Sequence, residues 1–403
     1  MKKYFYIKIL IYKILIYMNH NGYCITIVGM GTSSLCFLLY LYENNNLHKF
    51  KKILVVESSP KPNFDRINYK NVYSNSAYGS LISVFENNDF HKNKYYNLYK
   101  KKYNRDKCIN LYDFNLFLQE FYKTFEKKLI NNEVQLLFNY NVDNVSIKSN
   151  KIIINNEIIT EKIIFANGAK QTIQNLKSID KYNFFKYNNN IVLPDHIYNY
   201  NVDKLAIFND KNIIISGSSH GSMSVLNVLI EKKINFSKIT LLVIQDFKVY
   251  FPSENECIKE NYKYSKDDIC IETGKVNRFD GLREKSKELF LNLYKYKNIE
   301  ILKYDNSISI IKKIEGSDFI IPCWGYKKIY PKIYLENILL KKINVNENLN
   351  LVSNQKVLRN CFSIGLSSNP KIKNPQKSFN KSLDGIWIYK NIISPLLMKN
   401  IFN

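Results

Sequence analysis

Small residues and an acid recur at matching intervals in two places. In the first, Gly29, Gly31 and Ser34 follow the run Ile25-Thr26-Ile27-Val28, and Glu57 ends the next apolar run, Ile53-Leu54-Val55-Val56. In the second, Gly217, Ser219 and Ser222 follow Ile213-Ile214-Ile215-Ser216, and Asp246 ends the run over residues 239–244. The acids fall 28 and 29 residues after the first glycine of their own unit. A strand that feeds a tight small-residue turn into a helix gathers backbone N–H groups at the positive end of the helix dipole, and so makes an anion site. Gly29 allows the turn, Gly31 lets a pyrophosphate approach the backbone, Ser34 keeps helix and strand close, and Glu57 accepts hydrogen bonds from ribose hydroxyls. In the second unit Ser219 replaces the middle glycine and Ser222 takes the third small position. Asp246 points to a free ribose 2′-hydroxyl and hence NADH, with Lys248 as the alternative acceptor of a 2′-phosphate. His220 is either within reach of the nicotinamide phosphate or a partly buried turn residue.

These residues need strand–helix–strand units to hold them, and the sequence supplies two, over residues 24–57 and 213–246. Each is the layout of a dinucleotide-binding βαβ unit. Two dinucleotides in one chain imply electron transfer between them. Each unit is followed by a strand that ends in a glycine turn, TEKIIFANGA over 160–169 and DFIIPCWGY over 318–326. Such a strand returns the chain across the sheet beside the dinucleotide. Around these, helical spacing predicts helices over 111–129, 282–296 and 378–398. Strands are expected over 134–138, 163–165, 299–302, 308–311 and 361–364. A hairpin is expected over 142–147 and 151–154, turned at Ser149-Asn150. Residues 58–110 show no assignable pattern, residues 170–210 read as a connector and 247–280 as a polar excursion.

With 403 residues, the chain has room for two or three domains. Its formal charge of +24 is spread along the chain, with no zinc-finger spacing or aromatic RNA-binding signature, so no nucleic-acid partner is expected. The seven cysteines form no C-x-x-C pair, which points away from a disulfide framework, a zinc site or a dithiol reductase and fits a reducing compartment such as the cytoplasm. Residues 4–18 form an apolar, aromatic run broken by Lys8 and Lys13, too short and charged for a spanning helix. The run reads as a poor signal sequence, as a surface-binding helix or, the favoured reading, as lying upstream of a true start at Met18, which would place the first strand just inside the N-terminus; no integral membrane segment is expected. No H-E-x-x-H motif or Ser-His-Asp arrangement appears, and no metal is expected.

On the two βαβ units, on FANG at 165–168 and on PCWGY at 322–326, the chain resembles the two-dinucleotide-binding-domain flavoproteins, the group of pyridine-nucleotide oxidoreductases and flavin-dependent monooxygenases. The match runs over most of the chain from about Tyr23. GSSHGSMSVLNVL over 217–229 and FDGLRE over 279–284 are similar to an uncharacterised branch of that group, with no known substrate. The resemblance implies an α/β fold with two Rossmann-type domains: an FAD domain over 23–185 and 335–403, an NAD(P) domain inserted over 186–334, and an N-terminal extension over 1–22. It places FAD on Gly29, Gly31, Ser34, Glu57, Val142, Asn167, Gly168 and Gly365. It places NAD(P)H on Gly217, Ser219, His220, Ser222, Asp246 and Gly325. CFSIGLSSN over 361–369 resembles the late G-D motif that contacts the flavin's ribityl chain, with Leu366 where the aspartate stands and Ser367 as a substitute donor. Asn75-Ser76 resembles the segment beside the flavin ring. His196 to Tyr200, HIYNY, resembles the end of the monooxygenase fingerprint, although Asn189 and Val192 replace the F-x-G before it. The implied activity is hydride transfer from NAD(P)H to flavin, then to oxygen with a small amine or sulfur substrate, or to another acceptor. The alternative, motivated by Leu366 and Ser219, is a flavoprotein-like binding module without turnover. No catalytic residue and no oligomeric state are assigned.

Overall fold

The computed structural model describes residues 22–64, 69–86, 97–98, 102–149, 151–271, 273–278, 280–368 and 385–402. Among these, two sheets carry the two turns. The first is built on strands β1 (Tyr23–Val28), β2 (Ile53–Glu57) and β3 (Ile158–Phe165). Val134–Phe138, β2, β1, β3 and Lys356–Ser363 lie side by side, all parallel, with Ile25 opposite Ile53, Val28 opposite Phe165 and Phe362 opposite Ile164. Helices cover such a sheet on both faces, so its strands must be apolar throughout; β2 is buried at all five positions. An antiparallel branch leaves the first half of β3: Lys151–Ile154 pairs with it and Asn144–Lys148 pairs with Lys151–Ile154. The expected hairpin is present, with Lys148 opposite Lys151 and Ser149 in the left-handed region at φ 50°.

The second sheet contains β4 (Asn212–Ser216), β5 (Lys238–Val243) and β6 (Phe319–Pro322). Its order is Ile299–Lys303, β5, β4, β6, all parallel. These strands lie in sequence between β3 and Lys332–Leu335, and the latter rejoins the first sheet beside Asn144–Lys148.

Helix α1 (Thr32–Glu43) crosses from β1 to β2, and α2 (Leu111–Asn131) precedes Val134–Phe138. The Asn110 side chain caps α2, accepting from the Tyr112 N–H at 2.9 Å. From α2, Phe114, Phe117, Phe121 and Phe125 are all buried, at a spacing of three or four that places them on one face. Phe85 packs on them, 4.7 Å from Phe121 between ring centroids. Phe121→Ala should cost about 3–5 kcal/mol through lost burial and the cavity left behind; urea denaturation of the variant measures it.

Three expectations change. Residues 308–311 are not a strand; they open a helix, Ile308–Glu315. Four residues, Ile308-Ser309-Ile310-Ile311, are too few to separate the two periods. Ser307 decides the matter by accepting from the Ile310 N–H at 3.4 Å, and Ile310 and Ile314 are buried one turn apart. The connector over 170–210 holds short helices, among them Ile173–Lys177 and Pro194–Asn199. In the unassigned stretch, Tyr73–Ala77 pairs with Cys108–Asn110. The expected C-terminal helix is present from Ile386, with a π-helical turn over Tyr389–Ile393 just before Ser394-Pro395. Proline has no N–H to donate, which suits it to the end of such a turn. The reading of residues 1–21, and the expectations for Asn150, Phe279, Asn369 and residues 378–384, fall outside the described residues. No helix among the described residues is long and apolar enough to cross a membrane.

Candidate functional site

The two glycine turns are built alike, and their partners explain why. The Gly29 N–H donates to Val56 O at 2.8 Å, and the Ala166 N–H donates to Val28 O at 2.8 Å. In the second unit the Gly217 N–H donates to Leu242 O at 3.0 Å, and the Cys323 N–H donates to Ser216 O at 2.7 Å. A Cβ on Gly29 would meet Ala166 O at 2.8 Å; one on Gly217 would meet Cys323 O at 2.9 Å. Both glycines have φ values closed to ordinary side chains, +98° and +124°. Each first glycine is therefore required by the strand that returns beside it. The turns after those strands match too, with Gly168 at φ 71° and Gly325 at φ 81°. The resemblance between FANG and PCWGY is thus a resemblance in backbone packing.

Gly31 is different. It begins α1 without a side-chain cap, and a Cβ there would meet only Asn63 O, at 3.7 Å. It opens onto a cleft of about 2290 Å³, lined from the first unit by Gly29, Gly31, Glu57, Val142, Asn167, Gly168 and Gly365. Small-molecule pockets span about 300–1,000 Å³, so this cleft has room for a long ligand or for two. The buried Oδ1 atoms of Asn75 and Asn167, both residues of the lining, have no hydrogen-bond partner among the described residues. A buried amide oxygen without a partner is costly, and a ligand in the cleft would relieve it. Asn167 also donates through Nδ2 to Ile329 O, which fixes its orientation.

Glu57 has a second task. Its Oε2 accepts from the Met30 N–H at 2.7 Å and its Oε1 from the Ser59 N–H at 2.9 Å, so the acid fastens the glycine turn that it borders. Ser34 lies behind the turn, fully buried, donating to Gly29 O. Gly365, at φ +76°, lies against Ser33, whose Oγ a Cβ there would meet at 2.6 Å. Leu366 lines the cleft and is 45% exposed.

His220 is the residue of the second turn that reaches the same cleft. Its Nε2–H donates to Tyr73 O at 2.8 Å, and the Ser286 hydroxyl lies 3.1 Å from Nδ1, placed to donate to it. Burial pushes its pKa down and outweighs the bond to Tyr73 O, which raises it, so the neutral ring is favoured. His220 begins helix α3 (His220–Glu231), while Tyr73 belongs to the segment paired with Cys108–Asn110, so the imidazole ties the two units together. A depressed folded pKa means that the unfolded chain binds the proton more tightly. The stability from neutral His220 is therefore full above the unfolded value of about 6.5 and lost as pH falls below it. Urea melts of the wild type should weaken from pH 8 to pH 5.5 more than those of His220→Gln.

The other residues expected at the second dinucleotide do not line the cleft. Ser222 is buried and donates to Ser219 O at 2.8 Å, while Ser219 is exposed at the start of α3. Asp246 is exposed and 3.4 Å from Lys303. Lys248 is committed to Asp268 at 2.6 Å and Asp280 at 3.8 Å, which leaves it poorly placed for a 2′-phosphate. Gly325 faces open space, with nothing within 4 Å of a Cβ built on it. His196 is exposed and stacked on Tyr200. Trp324 belongs to the packing, donating to Ser216 Oγ at 2.7 Å and stacked 5.3 Å from Tyr182. All seven cysteines are free, and no metal-ligating cluster occurs among the described residues.

Sequence reasoning missed the contacts that join the units around Tyr69. Asp195 Oδ1 accepts from Tyr69 OH at 3.0 Å and from Tyr326 OH at 2.8 Å, residues far apart in the chain. It also missed Tyr250, Arg283, Lys285 and Lys287, which form the cleft wall opposite the first turn. Tyr250 lies in the polar excursion and the other three in the helix expected over 282–296, whose periodicity marks its apolar face and not which of its cations meet a cleft.

No family model and no curated protein matches the chain. Solved structures do. A cadaverine monooxygenase of Erwinia amylovora, bound to FAD, is 11% identical, with 95% of each chain covered and a TM-score of 0.59. An ornithine N-hydroxylase of Kutzneria sp. 744, with reduced FAD, NADP+ and L-ornithine, is 9% identical over 94% of this chain and 99% of that one, with a TM-score of 0.56. A bacillithiol disulfide reductase of Bacillus cereus is 11% identical over 94% and 99%, with a TM-score of 0.51. The chain has the fold of the two-dinucleotide-binding-domain flavoproteins, as its motifs imply.

Proposed function

We propose that this chain is an FAD-dependent oxidoreductase that takes hydride from NAD(P)H and passes the electrons to oxygen with a small amine or sulfur substrate, or to another small acceptor. The observation that carries the reading is the one cleft that runs from the Gly29–Gly31 turn of the first unit to His220 of the second. The residues present fit a flavin dinucleotide. Gly31 leaves the backbone open, α1 begins uncapped, and Asn75 and Asn167 offer unused acceptors. The first-turn N–H groups of α1 would hold the pyrophosphate and Glu57 the ribose, with Val142, Asn167, Gly168 and Gly365 completing the lining. Gly217, Ser219, His220, Asp246 and Gly325 would hold the nicotinamide dinucleotide, with Ser222 bracing their turn. The proposed boundaries are 23–185 and 335–403 for the FAD domain and 186–334 for the inserted domain.

Bound flavin accepts a hydride and releases its electrons to an acceptor, chemistry that belongs to the cofactor. The chain's part is to bind, to orient and to exclude water. Neutral His220, locked between Tyr73 O and Ser286, keeps the wall of the cleft uncharged at that point. Two kinds of support favour oxygenation of a small substrate: the fold it shares with a cadaverine monooxygenase and an ornithine N-hydroxylase, and the absence of a C-x-x-C pair for dithiol chemistry. Leu366 favours the second reading, a binding module without turnover, because an exposed apolar side chain stands where the family places an aspartate.

The visible spectrum of the purified protein, before and after anaerobic NADH or NADPH, tests this. A yellow protein bleached by one nucleotide is the expected result, and it names the donor. A colourless protein that takes up no added FAD overturns the enzymatic reading.

A further inference from the structure

The cleft wall opposite the first turn carries two cations, Arg283 and Lys287, with no ion-pair partner among the described residues. Arg283 stands at the N-cap of α4 (Glu284–Leu291), and Lys287 lies four residues on, on the same face of the helix. Both line the cleft and both are half-buried. They are gathered around Tyr250: the Arg283 guanidinium lies 3.5 Å from its ring centroid, and Lys287 Nζ donates to its carbonyl at 3.2 Å. Arg283 also donates to Arg278 O at 2.6 Å, so its plane is fixed. Neither cation forms an ion pair among the described residues. Their neighbour Lys285, by contrast, binds Glu231 at 2.6 Å. The carboxylates of the same wall do not serve them either. Glu284 is engaged by Lys107 at 3.4 Å, and among the described residues Glu256, Glu260 and Glu288 form no ion pair with either cation. Desolvation lowers the pKa of Lys287, which Glu256 and Glu260 offset from a distance.

Two half-buried cations held in place and left unpaired on a ligand-sized cleft are costly unless something anionic completes them. A planar guanidinium and a point ammonium one turn apart suit the oxygens of a carboxylate or a phosphate. We propose that Arg283 and Lys287 form an oxyanion-binding pair for a second ligand of the cleft, either the phosphate of a nicotinamide nucleotide or the carboxylate of a small substrate. This deepens the oxidoreductase reading and rests on it for what shares the cleft, though the anion site itself needs no flavin.

The test is fluorescence titration of the full-length protein with two probes, NADP+ and succinate, for the wild type, for Arg283→Gln/Lys287→Gln and for Lys287→Gln alone. Lys399→Gln, an exposed lysine on the C-terminal helix, controls for general loss of charge. Loss of about tenfold or more in affinity for NADP+ only assigns the pair to a nucleotide phosphate; the same loss for succinate only assigns it to a substrate carboxylate. Wild-type binding should also weaken as salt rises. The single variant, which leaves Arg283 on Tyr250, covers the case in which the double variant does not fold. Unchanged affinity for both probes in the single and double variants overturns the proposal, as does a wild type that binds neither. FAD content, measured on the same samples, reports separately on the oxidoreductase reading.

Discussion

Gly31→Val is expected to abolish FAD binding while leaving the protein folded, and Gly29→Val is expected to damage the fold itself. The two positions are two residues apart in one turn, yet they are glycine for different reasons. Gly29 has φ +98° and no room: a Cβ would lie 2.8 Å from Ala166 O and 3.0 Å from the Asn167 Cα. A β-branched side chain there brings strain of about 1–3 kcal/mol from the backbone alone, before the clash is counted. That clash falls between β1 and the turn after β3, so the whole parallel sheet is affected. Gly31 has φ −94° and ψ −167°, an extended conformation that valine adopts readily, and its nearest neighbour is Asn63 O at 3.7 Å. Its added methyls would project only into the cleft. Thermal melting should separate the variants, with Gly31→Val near the wild type and Gly29→Val well below it. Visible absorbance after incubation with FAD should show the flavin lost from Gly31→Val. A folded Gly31→Val that keeps full flavin content would mean that the cleft does not take its dinucleotide at this turn. Gly217→Val should behave as Gly29→Val does, since Cys323 O lies as close to it.

This contrast also shows what the sequence could carry. The strands β1, β2, β4 and β5 were legible because parallel strands buried on both faces read as unbroken apolar runs. The glycine turns were legible because a left-handed or crowded position leaves few residue choices. The return strands β3 and β6 were legible as a pair, and the structure supplies the cause in the contacts of Ala166 O with Gly29 and of Cys323 O with Gly217. The strand expected at Ile308 failed because a four-residue run carries no period and a capping serine outweighed it. The strands Lys332–Leu335 and Asn350–Ser353 were not seen. Lys332–Leu335 has just one buried residue, and both depend on partners at the edge of the first sheet more than on their own pattern. Most obscure was the far wall of the cleft. Arg283, Lys287, Tyr250 and His220 meet there because α4 packs on α3 through Ser286–His220 and Lys285–Glu231 and Tyr250 packs on α4, and spacing along a chain does not record a meeting of that kind. Asp195, Tyr69 and Tyr326 were hidden for the same reason.

The C-terminal segment returns to the first unit, and one ion pair should decide how firmly. Lys390 Nζ donates to Glu43 at 2.6 Å and to Val84 O at 2.5 Å, joining the end of α1 and the turn at Phe85 to the π-helical turn near the C-terminus. The two side chains are only 11% and 15% exposed. Removing one partner of a buried pair leaves the other charge uncompensated and typically costs about 3–5 kcal/mol, whereas removing both is often close to neutral. Lys390→Met should therefore lose about 3 kcal/mol by urea denaturation, and Glu43→Gln/Lys390→Met should recover most of it. Surrounding packing favours the recovery: Tyr389, Ile393 and Leu397 are buried in the same core as Leu38 and Phe85. A Lys390→Met variant within about 0.5 kcal/mol of the wild type would place the pair among ordinary surface contacts. The expected loss, with its recovery in the double variant, would make the last helix part of the first unit's core, although the whole second sheet separates the two in sequence. Ile386, Trp387, Ile388 and Tyr389, just before Lys390, line the cleft. Release of the C-terminal helix in Lys390→Met should then weaken flavin retention as well, with no cleft residue changed.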